Sequence, residues 1–368
     1  MIDVIALFIV VALLAQDFLL GFSILFNFYR FPVEGEGAKP FVSILIPSRN
    51  EEKNLPRCLH ALNQLDYPAD RMEIILGDDR SSDRTWEILE DWGRNKDYVK
   101  VLAIKEGDSE KINGKANALA QMVKESKGGL LLFTDADCVV RAGWVSSMVE
   151  AQVSSQAGLV TGITSVDARN LFSRMQGIDW WLTLGMVKVL SDWGSTVTAM
   201  GNNMLVSRGA YEAVGGFEGL DFSLTEDFEM GKAIRERGFR AIHLVARENL
   251  IETQAVAGFG RLMQQRKRWM HGAMQLPGFW KSMLTLRVAF FPAAILLVFL
   301  HPFEGTALWL FKVLIQSLFI YHFASKTGSR LRIVEFLLFE IYYFISAWST
   351  IVYYFWPAKT DWKGRKYG

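Results

Sequence analysis

The distribution of apolar residues limits what this chain can fold into more than any other feature. Residues Val4 to Phe28 form one apolar stretch, interrupted by Gln16-Asp17, and three more follow the centre at Val288–Leu300, Ala307–Phe323 and Val334–Trp356. A stretch of about 20 apolar residues crosses a hydrocarbon core of about 30 Å, so these segments read as membrane helices. The first is too long for a signal-peptide core. It has neither a basic leading region nor a small-x-small cleavage site, so it is expected to be retained. Asp17 is costly against lipid and should face other helices or mark a kink. His301-Pro302 through Gly305 reads as a tight outer turn. The basic stretch Ser325 to Arg332 belongs in the cytoplasm, and Arg30 puts the end of the first span on the same side. Four full spans would then leave Lys359, Lys363, Arg365 and Lys366 outside, against that rule. A re-entrant or interfacial segment would reconcile them.

Between the apolar ends lies a region of different pattern. From about Phe41 to Glu252, short apolar runs alternate with stretches of helical spacing. Strands are expected at Val42–Ile46 (ending at Pro47), Met72–Leu76, Val99–Ile104 and Leu130–Phe133. Helices are expected at Glu52–Leu65, Asp83–Trp92 and Gly114–Lys124. The βαβα order implies an α/β fold with a mostly parallel, Rossmann-like sheet, whose ligands bind beyond the carboxyl ends of the strands. The organisation read from this is a membrane helix at 1–30, an α/β domain at 40–255, amphipathic interface helices at 256–285, membrane helices at 286–356 and a basic tail at 357–368. A net charge of +1 supplies no global field for nucleic acid. Two cysteines, Cys58 and Cys138, cannot build a disulfide framework and fit a reducing compartment.

Five motifs carry chemistry, each beside a plainer reading. If extended geometry continues past Phe133, Asp135 and Asp137 point to one side; their oxygens would suit Mg²⁺ or Mn²⁺, whereas the plainer reading is a strand-to-helix turn. Asp78-Asp79 can accept from a nucleobase or ribose, or simply belong to a turn and helix cap. Lys115, at a glycine-led helix start, can cradle phosphate or be a surface lysine. Asp227, in Thr225-Glu226-Asp227 ahead of a helix from Phe228 to Arg237, can deprotonate a hydroxyl or cap that helix. In Gln265-Arg266-Lys267-Arg268-Trp269, helical spacing puts Gln265, Arg268 and Trp269 on one arc. Arg268 can fork onto phosphate and Trp269 can stack on a ring. The same helix can equally lie on lipid.

In order and spacing these motifs resemble membrane-embedded members of glycosyltransferase family 2. The carriers are the run from Val42 to Glu52, Asp78 to Asp83, Gly114-Lys115-Ala116, Asp135-Ala136-Asp137, Thr225-Glu226-Asp227 and Gln265 to Trp269. The resemblance implies a GT-A fold in a cytosolic domain flanked by transmembrane helices. It also implies inversion at the anomeric carbon, a nucleotide-sugar donor (a UDP-sugar ahead of a GDP-sugar) and a divalent metal. By position, Pro47, Arg49, Glu51, Asp79, Lys115 and Asp135 surround the nucleotide, and Asp135 with Asp137 holds the metal. Asp227 is the base, with Glu226 beside it, and Gln265, Arg268 and Trp269 contact the diphosphate. Gly201-Asn202-Asn203 falls where related enzymes line the acceptor site, but departs from the polymer synthases' pattern. The Gln-x-x-Arg-Trp signature is shared by polysaccharide synthases and ceramide-type lipid glucosyltransferases. The tail Asp361 to Tyr367 resembles tails of the lipid group, and so few spans make a poor channel. The expected function is sugar transfer to a lipid-linked or other membrane-associated hydroxyl, in a bacterial cytoplasmic membrane with the catalytic domain facing the cytoplasm. The alternatives are a processive synthase of a β-glucan or poly-N-acetylglucosamine, and a non-catalytic membrane binding subunit.

Overall fold

The structure, a computed structural model, describes residues 1–26, 39–108, 110–195, 199–357, 360–362 and 365–367. The expectations resting on Arg30, Lys359 and Lys363 fall outside these residues. The chain runs α1 (Ile2–Phe26), β1 (Val42–Ser48), α2 (Leu55–Leu62), β2 (Met72–Asp78), α3 (Thr85–Gly93), β3 (Val99–Ala103), α4 (Gly114–Lys124), β4 (Leu130–Thr134), α5 (Trp144–Ser155), β5 (Leu159–Thr161), β6 (Ile163–Asp167), α6 (Leu171–Asp192), β7 (Asn203–Ser207), α7 (Arg208–Ala213), α8 (Glu226–Glu236), β8 (Ala241–His243), β9 (Leu250–Gln254), α9 (Phe259–Ala273), α10 (Gly278–Leu300), α11 (Pro302–Ser325), α12 (Ile333–Phe355), β10 (Thr360–Trp362) and β11 (Arg365–Tyr367). It divides into two compact units. One, helical, comprises α1, Asp167–Val189 and the chain from Ala255 onward; the other is the α/β unit. The sequence pattern suggested an unbroken α/β domain from 40 to 255, but most of α6 groups with the apolar helices.

In the α/β unit a seven-stranded sheet has the order β3-β2-β1-β4-β7-β5-β8. β7 is antiparallel to both its neighbours and the remaining pairs are parallel. Strand alternation sends Ile44, Ile74, Leu132 and Leu205 to one face, against Leu59 of α2 and Trp144 and Met148 of α5. It sends Leu45, Ile75, Phe133 and Met204 to the other, against Leu119 and Met122 of α4 and Met230 and Ile234 of α8. Strands covered on both faces must be apolar throughout, which is why they read as continuous runs.

Three local expectations are corrected. Pro47 lies inside β1 rather than ending it. The Ser48 carbonyl accepts from the Asp79 N–H at 2.8 Å, so the Pro47 nitrogen faces the opposite side, where pairing with β4 has already stopped at Leu45. Its missing N–H therefore removes no ladder bond. α2 begins at Leu55 rather than Glu52 because Pro56 belongs in a first turn. α8 begins at Glu226, two residues before the expected start.

In the helical unit four helices, α1, α10, α11 and α12, are long and apolar enough to cross a membrane. α1 packs on α10 through Ala6, Val10, Leu13, Phe290, Ala294 and Leu297. The turn expected through Gly305 is shorter: α11 starts at Pro302, the first-turn position that suits proline. Gly305 then lies so close to α10 that a Cβ would meet the Leu297 carbonyl carbon and the Val298 nitrogen at 2.5 Å. α1 is unbroken at Asp17, which pairs with Arg287 of α10, both side chains only 3% exposed. Lys312 of α11 donates to both carboxylate oxygens of Glu340 of α12 at 2.8 and 2.7 Å. These charges face other helices, as their cost in lipid requires.

Candidate active site

The carboxyl edge of the sheet gathers most of the polar side chains singled out in the α/β unit. Arg49, just past β1, donates from Nη1 to the Asp79 carbonyl at 2.7 Å, and its guanidinium stands 3.9 Å from the Asp79 carboxylate. Arg80, in the left-handed region at φ 57°, lies 3.6 Å from the same carboxylate. Glu51 is buried; its carboxylate accepts from Asn54 Nδ2 at 2.6 Å and its N–H donates to Thr85 Oγ1 at 2.8 Å. Beside them Ser48 Oγ, Asp78 Oδ1 and Thr134 Oγ1, at the ends of β1, β2 and β4, are buried without a hydrogen-bond partner. Three orphaned polar atoms along one sheet edge fit a polar ligand there.

Lys115 opens α4 and points to a cluster of carboxylates. Its Nζ lies 2.6 Å from Asp135 Oδ1 and 3.7 Å from Glu226 Oε1. Burial acts to lower the Lys115 ammonium, but Asp135 and Glu226 outweigh it and hold it above the ordinary lysine value. Asn113 caps α4, accepting from the Ala116 N–H at 2.9 Å, and its Nδ2 donates to Glu226 Oε2 at 3.1 Å. Asn113 was not singled out, although an Asn before a glycine-led helix is a cap signature.

Asp135 and Asp137 do not reach their positions by strand alternation. β4 stops at Thr134, and the Cys138 N–H donates to the Asp135 carbonyl at 3.0 Å, so the segment is a turn. Asp137 Oδ1 accepts from the Cys138 thiol and Oδ2 from Thr253 Oγ1, each at 3.5 Å. Thr253 lies on β9, so local spacing could not reveal it. Two carboxylates suit a hard cation that keeps water or phosphate as its other ligands. Among the described residues no three His, Cys, Asp or Glu side chains meet to form a fuller cage.

Asp227 sits in the first turn of α8. Its Oδ2 accepts from the Gly201 N–H at 2.8 Å and its Oδ1 from the Phe228 N–H at 2.9 Å. Thr225 makes no side-chain cap bond. Burial and the neighbouring Glu226 carboxylate push Asp227 up to about 6, against the pull of Lys115 and the two N–H groups. A carboxyl tuned close to neutrality can accept a proton and release it again.

Gln265, Arg268 and Trp269 lie on α9, in the helical unit. There Trp269 packs edge-on against Trp180 of α6 with ring centroids 5.5 Å apart. Lys267 turns the other way and donates to the Trp356 carbonyl at 2.8 Å, beyond the end of α12.

Three comparisons bear on this arrangement. The model of glycosyl transferase family 21 matches residues 5–368. A probable glycosyltransferase of Bacillus subtilis, YdaM, is 32% identical over 244 residues, covering 63% of this chain and 55% of its own length. The β-monoglucosyldiacylglycerol synthase of Synechocystis is 28% identical over 238 residues, covering 64% of this chain and 48% of its own. The chain thus spans about half the length of these curated relatives. Among solved structures, the mannosyltransferase PcManGT of Pyrobaculum calidifontis, in complex with GDP-Man and Mn²⁺, is similar with a TM-score of 0.66 at 15% identity, over 97% of this chain and 99% of that one. At that identity the likeness shows a shared GT-A fold.

Proposed function

The chain belongs to glycosyl transferase family 21, and on that premise we propose that it transfers a sugar from a nucleotide-sugar to a hydroxyl of a lipid or another membrane-associated acceptor, inverting the anomeric carbon. The observation that carries the proposal is Asp227: a half-buried carboxylate, fixed by two backbone N–H groups and raised to about 6, on the same unit as the Lys115–Asp135–Glu226 cluster.

In this reading Asp227 takes the proton of the acceptor hydroxyl. The oxygen forms a bond to C1 from the face opposite the diphosphate, and the bond from C1 to the diphosphate oxygen breaks with its electron pair going to that oxygen. Lys115 supplies fixed positive charge for the departing group, the kind of preorganised stabilisation that dominates such reactions. Asp135 and Asp137 would hold a divalent cation, which neutralises diphosphate charge when bound. Pro47, Arg49, Glu51 and Asp79 would line the nucleotide subsite. Gln265, Arg268 and Trp269 keep the diphosphate role that the family resemblance gives them. The donor is proposed to be a UDP-sugar, and the membrane a bacterial cytoplasmic membrane with the α/β unit on the cytoplasmic side.

The test is transfer of label from a panel of radiolabelled UDP- and GDP-sugars by membranes containing the protein. Label extracted into the lipid phase, lost with Asp227→Asn while nucleotide binding survives, is the expected result. Label in a polymer on a sizing gel would favour processive synthesis, and transfer by Asp227→Asn at a near-normal rate would remove Asp227 from its assigned role.

A further inference from the structure

The tripeptide Gly201-Asn202-Asn203 lies just ahead of and into β7; its first two residues bond toward the site and its third into the interior. Gly201 donates its N–H to Asp227 Oδ2 at 2.8 Å. The approach is so close that a Cβ on residue 201 would meet Asp227 Oδ2 at 2.9 Å and its Cβ at 3.0 Å, so only glycine fits without displacing the carboxylate. Asn202 donates from Nδ2 to the Cys138 sulfur at 3.6 Å, and that thiol donates to Asp137 Oδ1 at 3.5 Å. The Asn202 amide is oriented by Thr164, whose hydroxyl donates to its Oδ1 at 3.1 Å.

Asn203 is the anchor. It is fully buried, and its side chain accepts from Trp144 Nε1 at 3.0 Å and donates to the Ile163 and Asn249 carbonyls at 2.8 Å each. Its backbone closes the registration: its N–H donates to the Met200 carbonyl at 2.7 Å and its carbonyl accepts from the Gly162 N–H at 2.9 Å. A side chain tied to α5, β6 and the loop before β9 at once cannot shift without breaking several bonds in the interior. The two residues before it inherit that rigidity.

We infer that Gly201-Asn202-Asn203 is a positioning unit that fixes the base and the acidic pair of the turn after β4 from one piece of backbone. Gly201 sets Asp227, Asn202 sets Asp137 through the Cys138 thiol, and Asn203 ties both to the sheet. The inference rests on the proposed roles of Asp227 and Asp137, and it adds three positioning residues, Gly201, Asn202 and Cys138, to the reaction. It also accounts for the buried Cys138, whose S–H orients a carboxylate, a role that serine can share and alanine cannot.

The test uses the full chain in detergent or nanodiscs, with Gly201→Ala, Cys138→Ala, Cys138→Ser and Asp227→Asn compared for kcat, donor KM, Mn²⁺ binding followed by electron paramagnetic resonance, and thermal midpoint. Mn²⁺ binding is read without turnover. A base displaced by about an ångström loses on the order of 10²-fold in rate. Gly201→Ala should show that fall in kcat with donor KM and Mn²⁺ affinity unchanged. Residues that orient a metal ligand are worth about 10- to 100-fold in metal affinity. Cys138→Ala should show a loss of that order, and Cys138→Ser should return affinity toward the wild-type value. Wild-type kcat in Gly201→Ala, or wild-type Mn²⁺ affinity in Cys138→Ala, overturns the inference. So does a parallel loss of kcat, Mn²⁺ affinity and thermal midpoint in both variants, which is what mere structural damage gives. Activity surviving in Asp227→Asn instead strikes the proposed function, whatever the other variants do.

Discussion

At the scale of single residues, the proposed chemistry turns on how Asp227 is held between opposing influences. Burial and Glu226 disfavour its charge, while Lys115 and two N–H groups favour it, and the balance lies near 6. A base works only when ionised, so kcat/KM should be low below that pH, rise tenfold per unit toward it and level off above it. A pH–rate profile checks this. Removing one favouring influence should move the limb in a known direction: in Lys115→Met, whatever activity remains should rise at higher pH than in the wild type, because the nearby positive charge is gone. The raised value also bears on stability. The folded state holds the Asp227 proton more tightly than the unfolded chain, so this group's contribution is fully present below its unfolded pKa and is lost as pH rises through about 6. The sequence exposed Asp227 as an acid ahead of a helix. It could not expose the bond to that acid from the N–H of Gly201, 26 residues away.

At the scale of elements, buried charges should be costly to separate. Glu340 of α12 accepts from Lys312, Trp309 and Gln316, all on α11. Lys312→Met leaves that carboxylate buried beside apolar rings, and breaking such a pair costs about 3–5 kcal/mol. Thermal unfolding in detergent should show the loss, and adding Glu340→Gln should recover part of it. Elements were legible where a local rule governs. α4 runs from Gly114 to Lys124 as its spacing and leading glycine predict. α2 starts later than its spacing predicts because Pro56 belongs in a first turn, whereas β4 was legible to within a residue and only the turn that follows it at Asp135 was not. That turn is held by long-range partners, Thr253 on β9 and Asn202 before β7, which no window of neighbouring residues contains.

At the scale of the whole molecule, the two patterns in the sequence, apolar runs of membrane length and short strands alternating with helices, became two units. The exception is α6, which spacing alone would leave in the α/β unit. It buries Met175, Ile178 and Trp181, and Trp181 packs edge-on against Phe323 of α11 at 5.9 Å. Among the described residues, four helices are long and apolar enough to cross a membrane. The response to metal removal follows from the charges gathered in the α/β unit. Lys115 offsets the Asp135 charge from 2.6 Å, whereas a departing diphosphate brings charge of its own. EDTA should therefore stop transfer while leaving the thermal midpoint close to its starting value, and added Mn²⁺ or Mg²⁺ should restore turnover. Full activity in EDTA would leave Lys115 as the principal counter-charge and remove the cation from the reaction.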